Sequence, residues 1–104
     1  MIVYEVNVFV REEIRAAYRD WLEAHIREIR ALPGFTGVEV FDRLEPAADA
    51  GEVAICVHYR LRDAGALADY LREHAPRLRA DGVERFGDGF RAERRVLQRR
   101  GLLA

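Results

Sequence analysis

The segment VAICVHYRL, residues 53–61, is the clearest strand of the chain, because its side chains alternate in character with a period of two. Large apolar residues fill every second position, namely Val53, Ile55, Val57, Tyr59 and Leu61. The positions between them hold Ala54, Cys56, His58 and Arg60. Successive side chains of a strand point to opposite faces of a sheet. The pattern therefore predicts a β-strand with one face in a hydrophobic core.

The same alternation predicts three more strands, at residues 3–10, 35–43 and 90–97. Between the first two, apolar residues recur every three or four positions, which predicts a helix of about twenty residues. Pro33 and Gly34 stop that helix. Asp63 can cap a second helix, and Pro76 breaks or kinks it and can open a short further helix ending near Gly82.

The resulting order, β-α-β-β-α-β, is the ferredoxin-like arrangement of the α+β class. It predicts a four-stranded antiparallel sheet with two helices on one face. A chain of 104 residues supplies one such domain, residues 1–104. The face away from the helices mixes apolar with charged side chains, too apolar for solvent and too charged for a core. We therefore predict a homodimer in which two open sheet faces meet, a dimeric α+β barrel.

Composition excludes several functions. The chain has no Ser and no Lys, so it holds no Ser-His-Asp triad, Schiff-base lysine or P-loop. Its single cysteine, Cys56, rules out an internal disulfide and multi-cysteine metal sites. Seventeen arginines balance eighteen acids, so no nucleic-acid partner is expected. Without a membrane span or a signal-peptide pattern, we expect a cytoplasmic protein.

The inner stripes of the two helices supply one candidate site: Trp21, His25, Tyr70 and His74. In the functional interpretation, Trp21 and Tyr70 hold a ligand, and His25 or His74 transfers a proton. In the alternative, all four are ordinary core residues.

No metal site is expected from the helical histidines. Antiparallel helices with Trp21 beside Leu71 would place His25 and His74 ~10 Å apart along the axis, at ~1.5 Å rise per residue. Zinc ligands must converge on one ion at about 2 Å each, so this pair would not share one.

The open sheet face supplies the second candidate set, in which Asn7, His58 and Arg60 would bind a ligand beside Glu5 and Glu39. These residues could line a polar cavity in the barrel. The alternative is a dimer interface held together by arginine–carboxylate pairs. The pattern leaves open whether Arg94 or Arg95 faces this side.

Several segments carry a resemblance over the whole chain: MIVYEVN, W-x-x-x-H at residues 21–25, ALPGF at 31–35, V-x-Y-R-L at 57–61 and YLREHAPRLRADG at 70–82. They resemble a family of short bacterial proteins known as domain of unknown function 4286, which implies no activity. More broadly, the order of elements resembles the dimeric α+β barrel proteins. That superfamily includes cofactor-independent monooxygenases of antibiotic synthesis and haem-degrading enzymes.

The resemblance to haem-degrading enzymes implies an Asn, Trp and His set. Asn7 on the first strand and His74 on the second helix match the positions that this pattern implies. Asp63, Ala64 and Gly65, however, occupy the positions where the Trp is expected. We therefore expect no cofactor.

Two functions remain open. The first is a homodimeric barrel that could bind a small ligand without being an enzyme. The second is a cofactor-independent monooxygenase or isomerase acting on an aromatic or polyketide-like substrate. A pocket of some ~300 Å³ or more with His25 or His74 in its wall would favour the second.

Overall fold

The four alternating segments form one antiparallel sheet in the computed structural model, which describes residues 1–101. The strands are β1 (Ile2–Arg11), β2 (Phe35–Asp42), β3 (Glu52–Leu61) and β4 (Phe90–Gln98). The helices are α1 (Arg15–Arg30), α2 (Ala64–Glu73) and α3 (Ala75–Phe86), and a short 3-10 turn (Glu12–Ile14) precedes α1. The order confirms the ferredoxin-like α+β fold.

The strand order β2-β3-β1-β4 makes β3, which holds the segment VAICVHYRL, one of the two central strands of the sheet. β1 pairs with β3 so that Val6 lies opposite Val57, and Glu5 lies opposite His58. On its other side, β1 pairs with β4, where Val6 faces Arg94 and Glu5 faces Arg95. Directly opposed residues share a face. Arg94 therefore belongs to the helix side of the sheet and Arg95 to the open side.

The core lies between the helices and the predicted apolar rows of β1 and β3. The row of β3 is buried from Ile55 to Leu61, and Val53 packs partly buried against it. From the helices, Tyr18, Leu22, Ile29, Leu67, Tyr70 and Leu78 complete the core. Each leucine or isoleucine among them contributes about 1.5–3 kcal/mol when fully buried. The helices are therefore held to the sheet mainly by apolar burial.

Local signals fix the ends of the elements. Asp63 caps α2, since its Oδ1 accepts the backbone N–H of Ala66 at 2.8 Å. Gly34 adopts φ +88°, and its carbonyl oxygen accepts the backbone N–H of Arg62 at 2.9 Å. A Cβ at Gly34 would lie 2.5 Å from the Cβ of Ala66, so only glycine permits this approach of the β2 turn to α2.

The expected packing of α1 against α2 is wrong in one respect: Trp21 lies beside α3, not beside Leu71. Its indole Nε1–H donates to Asp81 at 3.1 Å, and its ring meets Phe86 edge-on at 5.7 Å. The reason is that α3 does not end near Gly82 but continues to Phe86. Pro76, in its first turn, starts a full helix, and Gly82 has no side chain to keep the indole away. Within residues 1–101, no helix is long and apolar enough to cross a membrane.

Candidate functional site

A cavity of about 100 Å³ lies between the sheet and helices α1 and α3. Every tyrosine of the chain and its single tryptophan contribute to the wall, together with His25: Tyr4, Tyr18, Trp21, His25, Tyr59 and Tyr70. We call this space the tyrosine cavity. Its aliphatic lining includes Val6, Val57 and Leu78. Val83 also lines it and is 57% exposed, so the cavity opens to solvent on that side.

Trp21 and His25 form one stacked unit in the cavity wall. They are one helical turn apart on α1, and their ring centroids lie 4.4 Å apart with 22° between the planes. Burial lowers the pKa of His25 below its ordinary 6.5, although Glu28 and Asp81 nearby act in the opposite direction. The imidazole is therefore neutral at pH 7 and available as a proton acceptor.

The tyrosine hydroxyls bring polar groups to this apolar space. The Tyr4 hydroxyl accepts a hydrogen bond from the Arg79 guanidinium at 2.9 Å. Tyr18, Tyr59 and Tyr70 are at most 5% exposed, yet their hydroxyls have no hydrogen-bond partner among residues 1–101. Within residues 1–101, every side-chain oxygen that is buried from solvent has a hydrogen-bond partner. The three hydroxyls have no partner, so each of them keeps some accessible surface. The space that these three residues share is the tyrosine cavity.

Burial also fixes the protonation of these phenols. It raises the pKa of Tyr70 to about 12 and moves the pKa values of Tyr18 and Tyr59 upward as well. The nearby charge of Arg94 opposes the rise at all three residues. The hydroxyls therefore remain neutral donors at physiological pH.

The structure brings together three of the four helical candidates. Trp21, His25 and Tyr70 line the tyrosine cavity, whereas His74 does not. His74 is half-buried where α2 meets α3, and its backbone N–H donates to the Tyr70 carbonyl at 2.9 Å. The periodicity missed Tyr4, Tyr18, Tyr59, Arg79 and Arg94 as cavity residues. The available signal was that the two central strands place tyrosines on the helix side.

The other predicted ligand-binding residues, Asn7, His58 and Arg60, lie on the opposite face of the sheet and do not line this cavity. Asn7 and His58 surround the carboxylate of Glu5, which is 4% exposed. This carboxylate accepts from Arg95 Nε at 2.5 Å and from Asn7 Nδ2 at 2.8 Å, and it lies 2.9 Å from His58 Nε2. Bonding to Arg95 is the main cause that holds the pKa of Glu5 at about 2.

Arginines also cover the apolar part of the open face. Phe9 is only 3% exposed because the guanidiniums of Arg91 and Arg43 lie 4.0 and 4.7 Å from its ring centre. Arg60 pairs with Glu39 at 2.6 Å. Arginine stems and planar heads shield apolar surface while they keep their charge in water. The open face is thus less apolar than the sequence pattern indicates.

Within residues 1–101, one group of side chains offers metal-ligand atoms, and it lies on this face: Glu5, Cys56 and His58, whose ligand atoms are within 4.8 Å of one another. From the sequence we predicted no metal site, and we considered only His25 and His74 as ligands. Cross-strand register, which joins Glu5 to His58, creates this group. Glu5 is already paired with Arg95, and burial raises the pKa of the Cys56 thiol, so the group is an ion-pair network in its present form.

Residues 1–100 match a family model described as a domain of unknown function, DUF4286. The chain belongs to this family. The match confirms the resemblance inferred from the sequence and covers 100 of the 104 residues of the chain. Among curated proteins, the comparison found no match.

Solved structures show the same fold at low identity. A Deinococcus radiodurans protein, provisionally named an antibiotic biosynthesis monooxygenase, aligns with a TM-score of 0.73 and 14% identity over 100% of this chain and 97% of its own. SnoaB from Streptomyces nogalater, a cofactor-independent oxygenase, aligns with a TM-score of 0.70 and 16% identity over 98% and 96%. The de novo designed protein Foldit4 aligns with a TM-score of 0.62 and 22% identity over 95% and 98%. A designed protein on the same fold underlines that the fold alone implies no activity.

Proposed function

We propose that this DUF4286 protein is a homodimer that binds a small organic ligand in the tyrosine cavity. The observation that carries the proposal is a set of three buried tyrosines around one cavity, whose hydroxyls have no partner within residues 1–101 and keep accessible surface. Because these hydroxyls are accessible and have no partner in the described residues, they are free to bond an occupant of the cavity, as the few polar groups in ligand pockets do.

The size of the cavity limits the ligand. Its volume of about 100 Å³ is below the ~300 Å³ typical of drug-sized sites, which is the size that would favour the enzyme hypothesis of the sequence analysis. An apolar cavity of about 150 Å³ is known to hold benzene. A single ring is therefore the largest group that would enter, with the rest of the ligand at the opening beside Val83. This size favours a one-ring compound over a polyketide-like one.

The proposed dimer pairs the open sheet faces of two copies. Two apolar side chains remain exposed at opposite edges of this face, Phe41 at 43% and Leu97 at 38%. The ionised Glu5 network lies between them, and its arginine-rich surroundings suit a polar, self-complementary contact. The resemblance to dimeric α+β barrel proteins supports the same arrangement. A cytoplasmic location and a single domain over residues 1–104 stay predictions from the sequence.

A second candidate function is cofactor-independent oxygenase or isomerase chemistry in the same cavity, with His25 as the base. The favouring observation is that His25 is neutral and buried against Trp21 in the wall. An imidazole there could accept a proton from an acidic C–H or phenolic O–H and become imidazolium. For oxygenation, the resulting anion would then need dioxygen as the oxidant.

The first experiment for ligand binding is native mass spectrometry of the purified protein, repeated after mild denaturation. A dimer that carries a reproducible extra mass, lost on denaturation, supports the proposal and identifies the ligand. A monomer at micromolar concentration contradicts the dimer. An apo mass, together with no binding by a panel of one-ring aromatic compounds, contradicts the ligand-binding function.

The enzyme candidate is tested by oxygen uptake with 1,4-dihydroxybenzene as the probe. Uptake above the protein-free rate that is lost in His25→Gln but kept in His74→Gln supports it, since only His25 lines the cavity. Binding of the probe without uptake or isomerised product would leave ligand binding as the function and remove the enzyme candidate.

A further inference from the structure

In the described part of the chain, the charged side chains that line the tyrosine cavity are arginines, and the nearby carboxylate of Asp81 is bonded to the Trp21 indole. The lining residues of the cavity include two arginines, Arg79 and Arg94, and no aspartate or glutamate. Arg79 comes from α3, and Arg94 reaches the same space from β4, where it lies opposite Val6. Two arginines from different elements thus line one cavity.

Neither arginine is neutralised by a carboxylate in the described part of the chain. Arg79 bonds to the Tyr4 hydroxyl, a neutral group, and no ion pair of Arg94 occurs within residues 1–101. On the other face, by contrast, Arg95 is paired with Glu5. The charge of Arg94 acts on the cavity tyrosines, because it opposes the rise that burial causes in the pKa values of Tyr18, Tyr59 and Tyr70.

The site is therefore rich in hydrogen-bond donors. A guanidinium carries five N–H donors and no acceptor, and a protonated phenol adds one O–H donor. A ligand that satisfies these groups must supply acceptor oxygens, and an anionic oxygen forms the stronger, charge-assisted bonds with arginine. A planar carboxylate matches the fork of a guanidinium.

We propose that the ligand is a small aromatic carboxylate, with its ring in the tyrosine cavity and its carboxylate between Arg79 and Arg94. This inference rests on the proposed ligand-binding function and adds the charge and class of the ligand. The ring lies among aromatic side chains, stacked or edge-on, and the carboxylate stays at the opening. This division agrees with a cavity that is too small for more than one ring.

Trp21 provides the readout, because it is the only tryptophan and it lines the cavity. We would titrate the intact protein with benzoate, 2-hydroxybenzoate and 4-hydroxybenzoate, and with the corresponding amides. Acid and amide have nearly the same shape and differ in charge. We expect each acid to change the Trp21 fluorescence and to bind at least tenfold tighter than its amide, with affinity falling as salt is added.

Arginine variants identify the groups that read the charge. Arg94→Gln and Arg79→Gln should each weaken acid binding about tenfold and leave the amides unchanged. Arg94→Lys should recover part of the affinity, because it keeps the charge without the fork. Arg85→Gln is the matched control: it removes the same charge from α3 at a residue outside the cavity, and binding should not change. Circular dichroism checks that each variant is folded.

The outcomes separate the two proposals. Amides that bind as tightly as the acids would overturn the carboxylate inference and leave ligand binding in the cavity intact. Acid binding that is insensitive to both Arg79→Gln and Arg94→Gln in folded variants would also overturn it. If neither acids nor amides bind, the carboxylate inference fails together with the proposed function.

Discussion

Trp21 on α1 donates its indole N–H to Asp81 on α3 across 3.1 Å, directly above the backbone of Gly82. A Cβ at Gly82 would lie 3.0 Å from the indole Cη2 and 3.3 Å from the ring of Phe90. The indole cannot easily retreat, because it also stacks on His25 at 4.4 Å. The position of Trp21 in the cavity wall thus depends on a glycine in the facing helix.

Gly82→Ala should therefore destabilise the protein by about 1 kcal/mol, although alanine is the better helix former by about that amount. It should also shift the Trp21 emission. Urea denaturation and fluorescence measure the two effects. Gly65→Ala is the control, because a Cβ there meets only Asp63 Oδ1 at 3.4 Å. We expect it to be neutral or slightly stabilising, and equal stabilisation by both changes would contradict the packing argument.

The Glu5 network predicts a loss of stability in acid. Its carboxyl pKa is about 2 in the folded protein against an ordinary 4.5, so it stabilises the fold fully above pH 4.5 and loses that effect as the pH falls towards 2. The free energy of unfolding should drop by on the order of 2–3 kcal/mol over this range. Urea denaturation at constant ionic strength, from pH 6 down to 2.5, measures the slope.

Glu5→Gln should remove most of this acid slope. Glu39→Gln is a matched change on the same face, but the Glu39 side chain is 58% exposed, and such pairs contribute little. It should leave the slope nearly unchanged. An unaltered slope in Glu5→Gln would show that other carboxylates cause the acid sensitivity.

Burial of His25 predicts a second, milder pH effect. Its folded pKa lies below 6.5, so the unfolded chain takes up this proton first as the pH falls. The free energy of unfolding should therefore decrease as the pH falls from 6.5 to the folded pKa of His25. Below that pKa, His25 should cause no further change. NMR titration of the imidazole C–H protons measures the pKa, and His25→Gln assigns the resonance. A pKa at or above 6.5 would mean that the imidazole is not desolvated.

Phe41 and Val40 test the proposed dimer, because they are adjacent on β2 and face opposite sides of the sheet. Phe41 lies opposite Cys56 on the open face, and Val40 lies opposite Val57 on the helix face. Both are exposed, at 43% and 53%. Phe41→Glu should convert the dimer to monomer at micromolar concentration in sedimentation analysis, and Val40→Glu should not. Dissociation by Val40→Glu alone would place the interface elsewhere.

Local sequence patterns were sufficient to predict the strands and most of the helix boundaries. The alternation at residues 53–61, the break at Pro33 and Gly34 and the cap at Asp63 each predict a feature found within a residue or two of its place. These signals act over a few residues, where the pleat and the helical repeat are fixed by backbone geometry. The end of α3 was missed, because Gly82 reads as a helix stop when its distant neighbour Trp21 is unknown.

The candidate site was only partly predictable. Helical periodicity found Trp21, His25 and Tyr70, but it also selected His74, which lies outside the cavity. It could not find Arg94, because the parity of an edge strand depends on its register with β1. The Glu5–His58–Arg95 network likewise requires the pairing of three strands.

The amino-acid sequence by itself determined the order of the elements, the core face of the central strands and the classes of chemistry that the chain cannot perform. These follow from composition and from periodicity along the chain. The tertiary structure decided which rings share a cavity and which arginines are paired with carboxylates. Those properties depend on contacts between residues as far apart as Tyr4 and Arg79, which strand register and helix packing bring to 2.9 Å.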